Sequence, residues 1–186
     1  MSASTTWVID PMHSEVLFKI KHLVISTVTG SFRKFEGQAI TTGEDFNNAR
    51  VSFTIDVSSI DTNQSMRDQH LQNGDFFSAD LYPTIDFVST SFTKSGDSDF
   101  TMKGNLTMKG VTKEVKLNVE YGGSENNGHG QIKHGFEITG TINRKEFGMT
   151  WNKLTDTGGL GLGEDIKLIA NIQVAELVEA AAEVEA

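Results

Sequence analysis

Val51-Ser52-Phe53-Thr54-Ile55-Asp56-Val57 is the stretch from which the fold is read. Val51, Phe53, Ile55 and Val57 recur at every second position, with Ser52, Thr54 and Asp56 between them. A β-strand sends successive side chains to opposite faces, so this stripe predicts a strand with one face on a core and one in water. β-Branched and aromatic residues on the apolar face suit a pleated surface.

The same alternation extends in both directions. Upstream, Trp7-Val8-Ile9 opens a short strand, and Ser14 to Lys21 puts Val16, Phe18 and Ile20 on one face. Gly30 to Thr41 carries Phe32, Phe35, Ala39 and Ile40, with Gly37 read as a bulge or bend. Downstream, Ile85 and Phe87 alternate, and Phe92 continues after a bend. Phe100 to Met108 and Thr112 to Tyr121 read as a hairpin about Lys109-Gly110, with Val115, Leu117, Val119 and Tyr121 on one face. Gly122 to Gly130 reads as a long mobile hairpin loop. Ile132, Phe136, Ile138 and Ile142 mark the next strand, and Asp165 to Val174 the last. About eight strands joined by short turns predict an all-β antiparallel barrel or a sandwich. A barrel of about that size can hold one small ligand.

One segment breaks the pattern. Asn63-Gln64-Ser65-Met66-Arg67-Asp68-Gln69-His70-Leu71 holds helix formers and no β-branched residue, and Asp75-Phe76-Phe77 follows it. It reads as a short helix near 63–72, capped by Thr62 or Asn63 and ended by Tyr82-Pro83. Charge and aromatics together in such a break suggest a lid or mouth over a pocket. Arg67-Asp68 has two readings: a surface or capping ion pair, worth little, or a polar anchor in which Arg67 meets an anionic or carbonyl head group.

Composition narrows the function classes. The 186 residues suit one domain, drawn here as 1–175, with an Ala/Glu-rich acidic helix or tail over 176–186. A net charge of −9 argues against a nucleic-acid partner, which needs a basic field. The chain has no cysteine, which removes disulfides, thiolate zinc ligands and a thiol nucleophile. No apolar run has the length of a transmembrane segment. Met1 to Trp7 lacks the basic and apolar pattern of a leader, so the expectation is cytoplasmic, or periplasmic where a leader has been removed.

Motifs of catalysis are scarce. Gly158-Gly159-Leu160-Gly161-Leu162-Gly163 has neither dinucleotide nor P-loop spacing and precedes a strand, not a helix; Leu160 and Leu162 could instead touch an apolar ligand. The five histidines, His13, His22, His70, His129 and His134, show no metal-ligand spacing. His22 and His70 stand out because each adjoins an apolar element. There is no Gly-x-Ser-x-Gly elbow. Phe18, Phe53, Phe87 and Phe136 lie on the apolar faces of four strands and would converge inside a closed barrel, on each other or on a guest.

Several pieces, in order, resemble the YceI-like family, also called polyisoprenoid-binding proteins. They include Trp7-Val8-Ile9-Asp10 with His13-Ser14, Val16-x-Phe18-x-Ile20-x-His22, and Gly30-Ser31-Phe32 with Phe35-x-Gly37. Ser59-Ile60-Asp61-Thr62, Arg67-Asp68-x-His70-Leu71, Asp75-Phe76-Phe77 and Tyr82-Pro83 form a central block. Gly104-x-Leu106-Thr107-x-x-Gly110 and Asn143-Arg144-x-x-Phe147-Gly148 follow. The resemblance implies an eight-stranded antiparallel lipocalin-like barrel with a long apolar tunnel for a polyprenyl or other long-chain lipid. It implies no established catalysis and no required cofactor beyond a bound isoprenoid or quinone-like lipid. Many relatives carry a secretion leader.

Together these readings predict a non-catalytic carrier or store of a long-chain isoprenoid lipid. The tail is expected among Phe18, Ile20, Phe35, Phe53, Phe87, Phe136 and Phe147, with Phe76 and Phe77 closing the mouth. Arg67, Asp68, His22 and His70 are the expected polar end. The rivals are an enzyme on a lipid-like substrate with His22 or His70 as base, a fatty-acid or amide carrier, and a dry-cored structural module. A homodimer is also open.

Overall fold

The structure, a computed structural model, describes residues 3–178. Eleven strands follow in chain order among them. They are β1 (Thr5–Ile9), β2 (Glu15–His22), β3 (Ser26–Phe32), β4 (Phe35–Thr41), β5 (Arg50–Asp56) and β6 (Ile60–Asp61). After one helix, α1 (Ser65–Gln72), come β7 (Thr84–Lys94), β8 (Asp99–Met108), β9 (Val111–Asn126), β10 (Ile132–Asn143) and β11 (Leu162–Glu176).

The pairing registers gather these strands into eight antiparallel staves. β1 pairs with β4 (Val8↔Gln38) and β2 with β3 (Val16↔Phe32), so residues 5–22 and 26–41 make one long bent hairpin. β5 pairs with β4 and β6 with β3, so 50–61 is the third stave. β7, β8, β9, β10 and β11 follow, each antiparallel to its predecessor. β11 then returns to the first stave, pairing with β2 over Ile166 to Asn171 and with β1 at Val174 to Glu176. The alternation therefore closes as a barrel, not a sandwich, and closure through β11 satisfies most edge groups of the sheet.

The first stave bends where Pro11 cannot donate to the ladder. Asp10 caps the turn Pro11–His13, accepting from the Met12 N–H and the His13 ring, and binds Lys133 of β10. This carboxylate holds the bend against the barrel wall. Lys133, followed by the His13 and Met12 bonds, lowers its pKa to about 2 against the cost of burial.

Four local readings change. Gly37 is not a bulge. It stands in unbroken register opposite Phe53, and a Cβ there would lie 2.6 Å from the Phe53 ring. Phe18 likewise lies over Gly30, at 2.2 Å from such a Cβ. The inward rings thus lean along the wall over a neighbour's bare Cα, and do not fill the bore. Gly122 to Gly130 is not one long loop, since β9 runs to Asn126 and only 127–131 connect it to β10. Its glycines face a shift of register at Gly135/Phe136. The cap of α1 is Gln64, whose side chain accepts from the Arg67 N–H, rather than Thr62 or Asn63. The boundary drawn at 175/176 cuts a strand, because Glu176 still pairs with Trp7. The acidic helix or tail expected beyond it lies, from residue 179 onward, outside the described residues.

Gly37→Val should cost about 1–3 kcal/mol by overpacking against Phe53, read from the urea midpoint at constant m. Asp10 contributes stability present above its unfolded pKa and lost as pH falls from about 4 towards 2. Asp10→Asn should therefore lower stability at pH 7 by about 2 kcal/mol and flatten the acid limb of the stability curve across that window.

Candidate functional site

The inner face of the barrel encloses an apolar cavity of about 1160 Å³. That exceeds the roughly 300–1,000 Å³ of ordinary small-molecule pockets. Phe18, Ile20, Phe53, Phe87 and Phe136 line it from four staves, as the alternation predicts, and Phe76 and Phe77 join from the segment after α1. Phe35 and Phe147 do not reach it. Phe35 stacks on Phe53 with centroids 5.9 Å apart, and Phe147 is sealed in the connection between β10 and β11. Phe32, Phe46 and Phe92 line the cavity as well.

One end is stopped by aromatic rings. Phe46, from the 42–49 connection, is buried across this end against Trp7 (5.5 Å), His134 (5.0 Å) and Phe136 (4.8 Å). Trp7 donates its indole N–H to Thr41, and the Tyr121 hydroxyl bonds His134 Nδ1 at 2.7 Å. Partial burial pushes the His134 pKa below the usual imidazole range, which favours an uncharged floor. Sequence reading passed over Phe46 because its loop has no period. His134 was detectable, since it falls in phase with Phe136 and Ile138 on the apolar face of β10.

The other end is the mouth, built from the connections 23–25, 62–83 and 144–161. The His70 ring stacks edge-on against Phe76 (5.1 Å) and Trp151 (4.8 Å), and its Nε2 bonds Asp75 at 2.9 Å. This trio ties the helical segment to the connection after β10. Phe77 meets Phe32 of β3 at 6.0 Å. The break in the alternating pattern thus sits at the barrel mouth.

Arg67 and Asp68 do not pair with each other. Both bind Thr62: Arg67 donates through Nε to its hydroxyl (2.7 Å) and through Nη2 to its carbonyl (2.6 Å). The Thr62 N–H and hydroxyl donate to the Asp68 carboxylate. Arg67 lines the cavity with its Nη1 unengaged among the described residues; Asp68 does not line it. His22 lines the mouth at the exposed end of β2, and His70 lines it from α1.

Arg144, quoted from the sequence only as part of a family motif, has a role that the sequence reading did not assign. Its guanidinium is buried, donating to the carbonyls of Gly163 (2.8 Å), Met149 (2.7 Å) and Trp151 (2.8 Å). Nη2 has no partner among the described residues. Burial lowers its pKa, partly offset by the nearby Glu164. Three carbonyls on one cation shape the mouth loop, a role that no local pattern announces. The ionisable residues of the wall are His22, Arg67, His70, Arg144, Lys153 and Asp156. One carboxylate stands among these five bases of the wall, while the mouth connections outside the wall add Asp68, Asp75, Asp80 and Glu146. Among the described residues no three His, Asp or Glu side chains group as a metal site, and no helix is long and apolar enough to cross a membrane.

The YceI-like domain model matches residues 7–174. The UPF0312 proteins of Staphylococcus aureus strains USA300 and NCTC 8325 are each 39% identical over 170 residues, 91% of this chain and 96% of theirs. Campylobacter jejuni YceI, a solved structure, superposes with a TM-score of 0.69 at 34% identity, over 87% of this chain and 91% of that one. A polyisoprenoid-binding domain from Saccharophagus degradans superposes with a TM-score of 0.65 at 13% identity, over 92% and 98%, a likeness of fold alone. The matched span runs from β1, where the barrel starts, into β11, which closes it, and the chain belongs to the YceI-like family.

Proposed function

We propose that this protein binds a long-chain isoprenoid lipid, polyprenyl or quinone-like, and carries or stores it without chemical change. The observation that supports this most is the cavity: an open apolar bore of about 1160 Å³, with its charged residues gathered at one end. Each buried CH₂ is worth about 0.8 kcal/mol, so ten chain carbons supply about 8 kcal/mol before the cost of association. The fold neighbour described as polyisoprenoid-binding agrees with a prenyl chain.

The tail lies along Phe18, Ile20, Phe53, Phe87 and Phe136, with Phe76 and Phe77 beside the mouth. Apolar walls discriminate weakly by chemistry, so selection falls on length, set by the ring floor at Phe46, and on the head group. Arg67 Nη1, His22 and His70 face that head. Asp68 serves indirectly, by holding Thr62, to which Arg67 is bonded. The binding reading is favoured over catalysis by the histidine partners. The one side-chain hydroxyl bonded to a histidine ring among the described residues, Tyr121 on His134, packs behind Phe46 and Phe136.

Mass spectrometry of an organic extract of the purified protein should show a prenyl or related long-chain lipid. Protein that is empty and also refuses added polyprenol would refute the proposal. Phe53→Asp should abolish uptake with strand content retained by circular dichroism. Arg67→Ala should weaken binding of a lipid with a charged head by about 1.5–3 kcal/mol, and unchanged affinity would remove Arg67 from the site.

A further inference from the structure

The turn between β2 and β3 is Leu23-Val24-Ile25, and it runs against two preferences at once. Leu23 and Val24 have φ of 53° and 64°. Tight hairpins normally give such left-handed positions to Gly, Asn or Asp, and a β-branched residue there is strained. The turn is also apolar and in water, with Val24 77% and Ile25 86% exposed. Across the mouth Leu154 is 68% exposed and Leu160 is exposed as well, and Met66 projects from the first turn of α1. Leu23, Val24, Leu154 and Leu160 also line the cavity, so the exposed apolar rim runs unbroken into the bore.

The charge around this rim has a sign. His22, Arg67, His70 and Lys153 stand in the wall at the mouth with Asp156 as the one carboxylate, and Lys21 flanks the turn. Of the nearby acids, Asp75 is bonded to His70, Glu164 to Lys145 and Asp68 to Thr62, and Asp80 and Glu146 lie outside the cavity wall. The rest of the chain carries the excess of Asp and Glu that makes the total −9. The bases of the mouth wall, set against a more acidic body, orient the barrel mouth-down at an anionic surface. Apolar side chains set among bases are the features of interfacial membrane binding.

We propose that the mouth is a docking surface for an anionic lipid bilayer. Leu23, Val24 and Ile25, with Leu154 and Leu160, enter the boundary between head groups and acyl chains, and Arg67 and Lys153 meet the lipid phosphates. The inference rests on the lipid reading of the cavity and adds the route of loading. A long tail crossing water would expose its whole length, whereas a docked mouth passes it over the Leu23–Leu160 rim directly.

Flotation of the full chain with vesicles of phosphatidylcholine, with and without phosphatidylglycerol, tests this. Wild-type protein is expected to float with the anionic vesicles, less with the neutral ones, and to lose binding as salt is raised. Ile25→Asp/Met66→Asp changes two exposed residues off the cavity wall, so its melting temperature and its uptake of detergent-dispersed polyprenol should match wild type. Its flotation should fall at least tenfold. Wild-type protein that takes up polyprenol but stays with neither vesicle, equal flotation with both compositions, or a variant that floats like wild type would overturn the proposal. So would light scattering that shows a wild-type dimer and a monomeric variant, which would make the rim a contact between two copies. Flotation without any polyprenol uptake would keep the docking surface and sink the lipid reading of the cavity.

Discussion

β11 bonds on one edge to β10 and on the other to both halves of the first stave, to β2 through Ile166 to Asn171 and to β1 through Val174 to Glu176. That double pairing converts a row of amphipathic strands into a closed wall. Without it the apolar faces would need a second sheet to cover them. With it they cover one another around a bore, and the strand order is left open at the short β6 and at β3 before Ser31. The bend at Pro11–His13, fastened by Asp10 to Lys133, lets one stave follow β11 along both stretches.

A barrel of eight strands stands at the size where side chains either fill the interior or leave room for a guest. Here glycines facing the large rings decide between these outcomes. Phe18 lies over Gly30 and Phe53 over Gly37, so two of the largest inward residues occupy wall rather than bore. The ends are then treated differently. Phe46 with Trp7, His134 and Phe136 stops one end without a fixed charge, while Arg67, Arg144 and Lys153 surround the other. A molecule with a long apolar part and one polar end matches this polarity, and its direction of insertion follows from it.

The strands and their inward residues were legible because burial on one face of a strand writes itself as a period of two. Val51, Phe53 and Ile55, or Ile166, Leu168 and Ala170, could be placed on the wall from that alone. What escaped lies where period carries no information. Phe46 sits in a connection, and Arg144 acts through carbonyls of Met149, Trp151 and Gly163 that have no side-chain signature. Phe35 and Phe147 show the converse error, since an apolar residue inside a barrel can pack against another ring or beneath a connection and never face the bore. Arg67 and Asp68 looked like a pair because they are adjacent, yet successive helical residues diverge. Both instead reach Thr62.

The central claim is that the bore is a binding space that a lipid enters tail first. A crystal structure of the protein grown with a long-chain polyprenol tests it most directly. The account predicts continuous density from the neighbourhood of Arg67 and Trp151 down to Phe46 and Phe136, with the polar end at the mouth. A bore collapsed onto its own side chains, or a lipid bound only on the outside of the barrel, would contradict it.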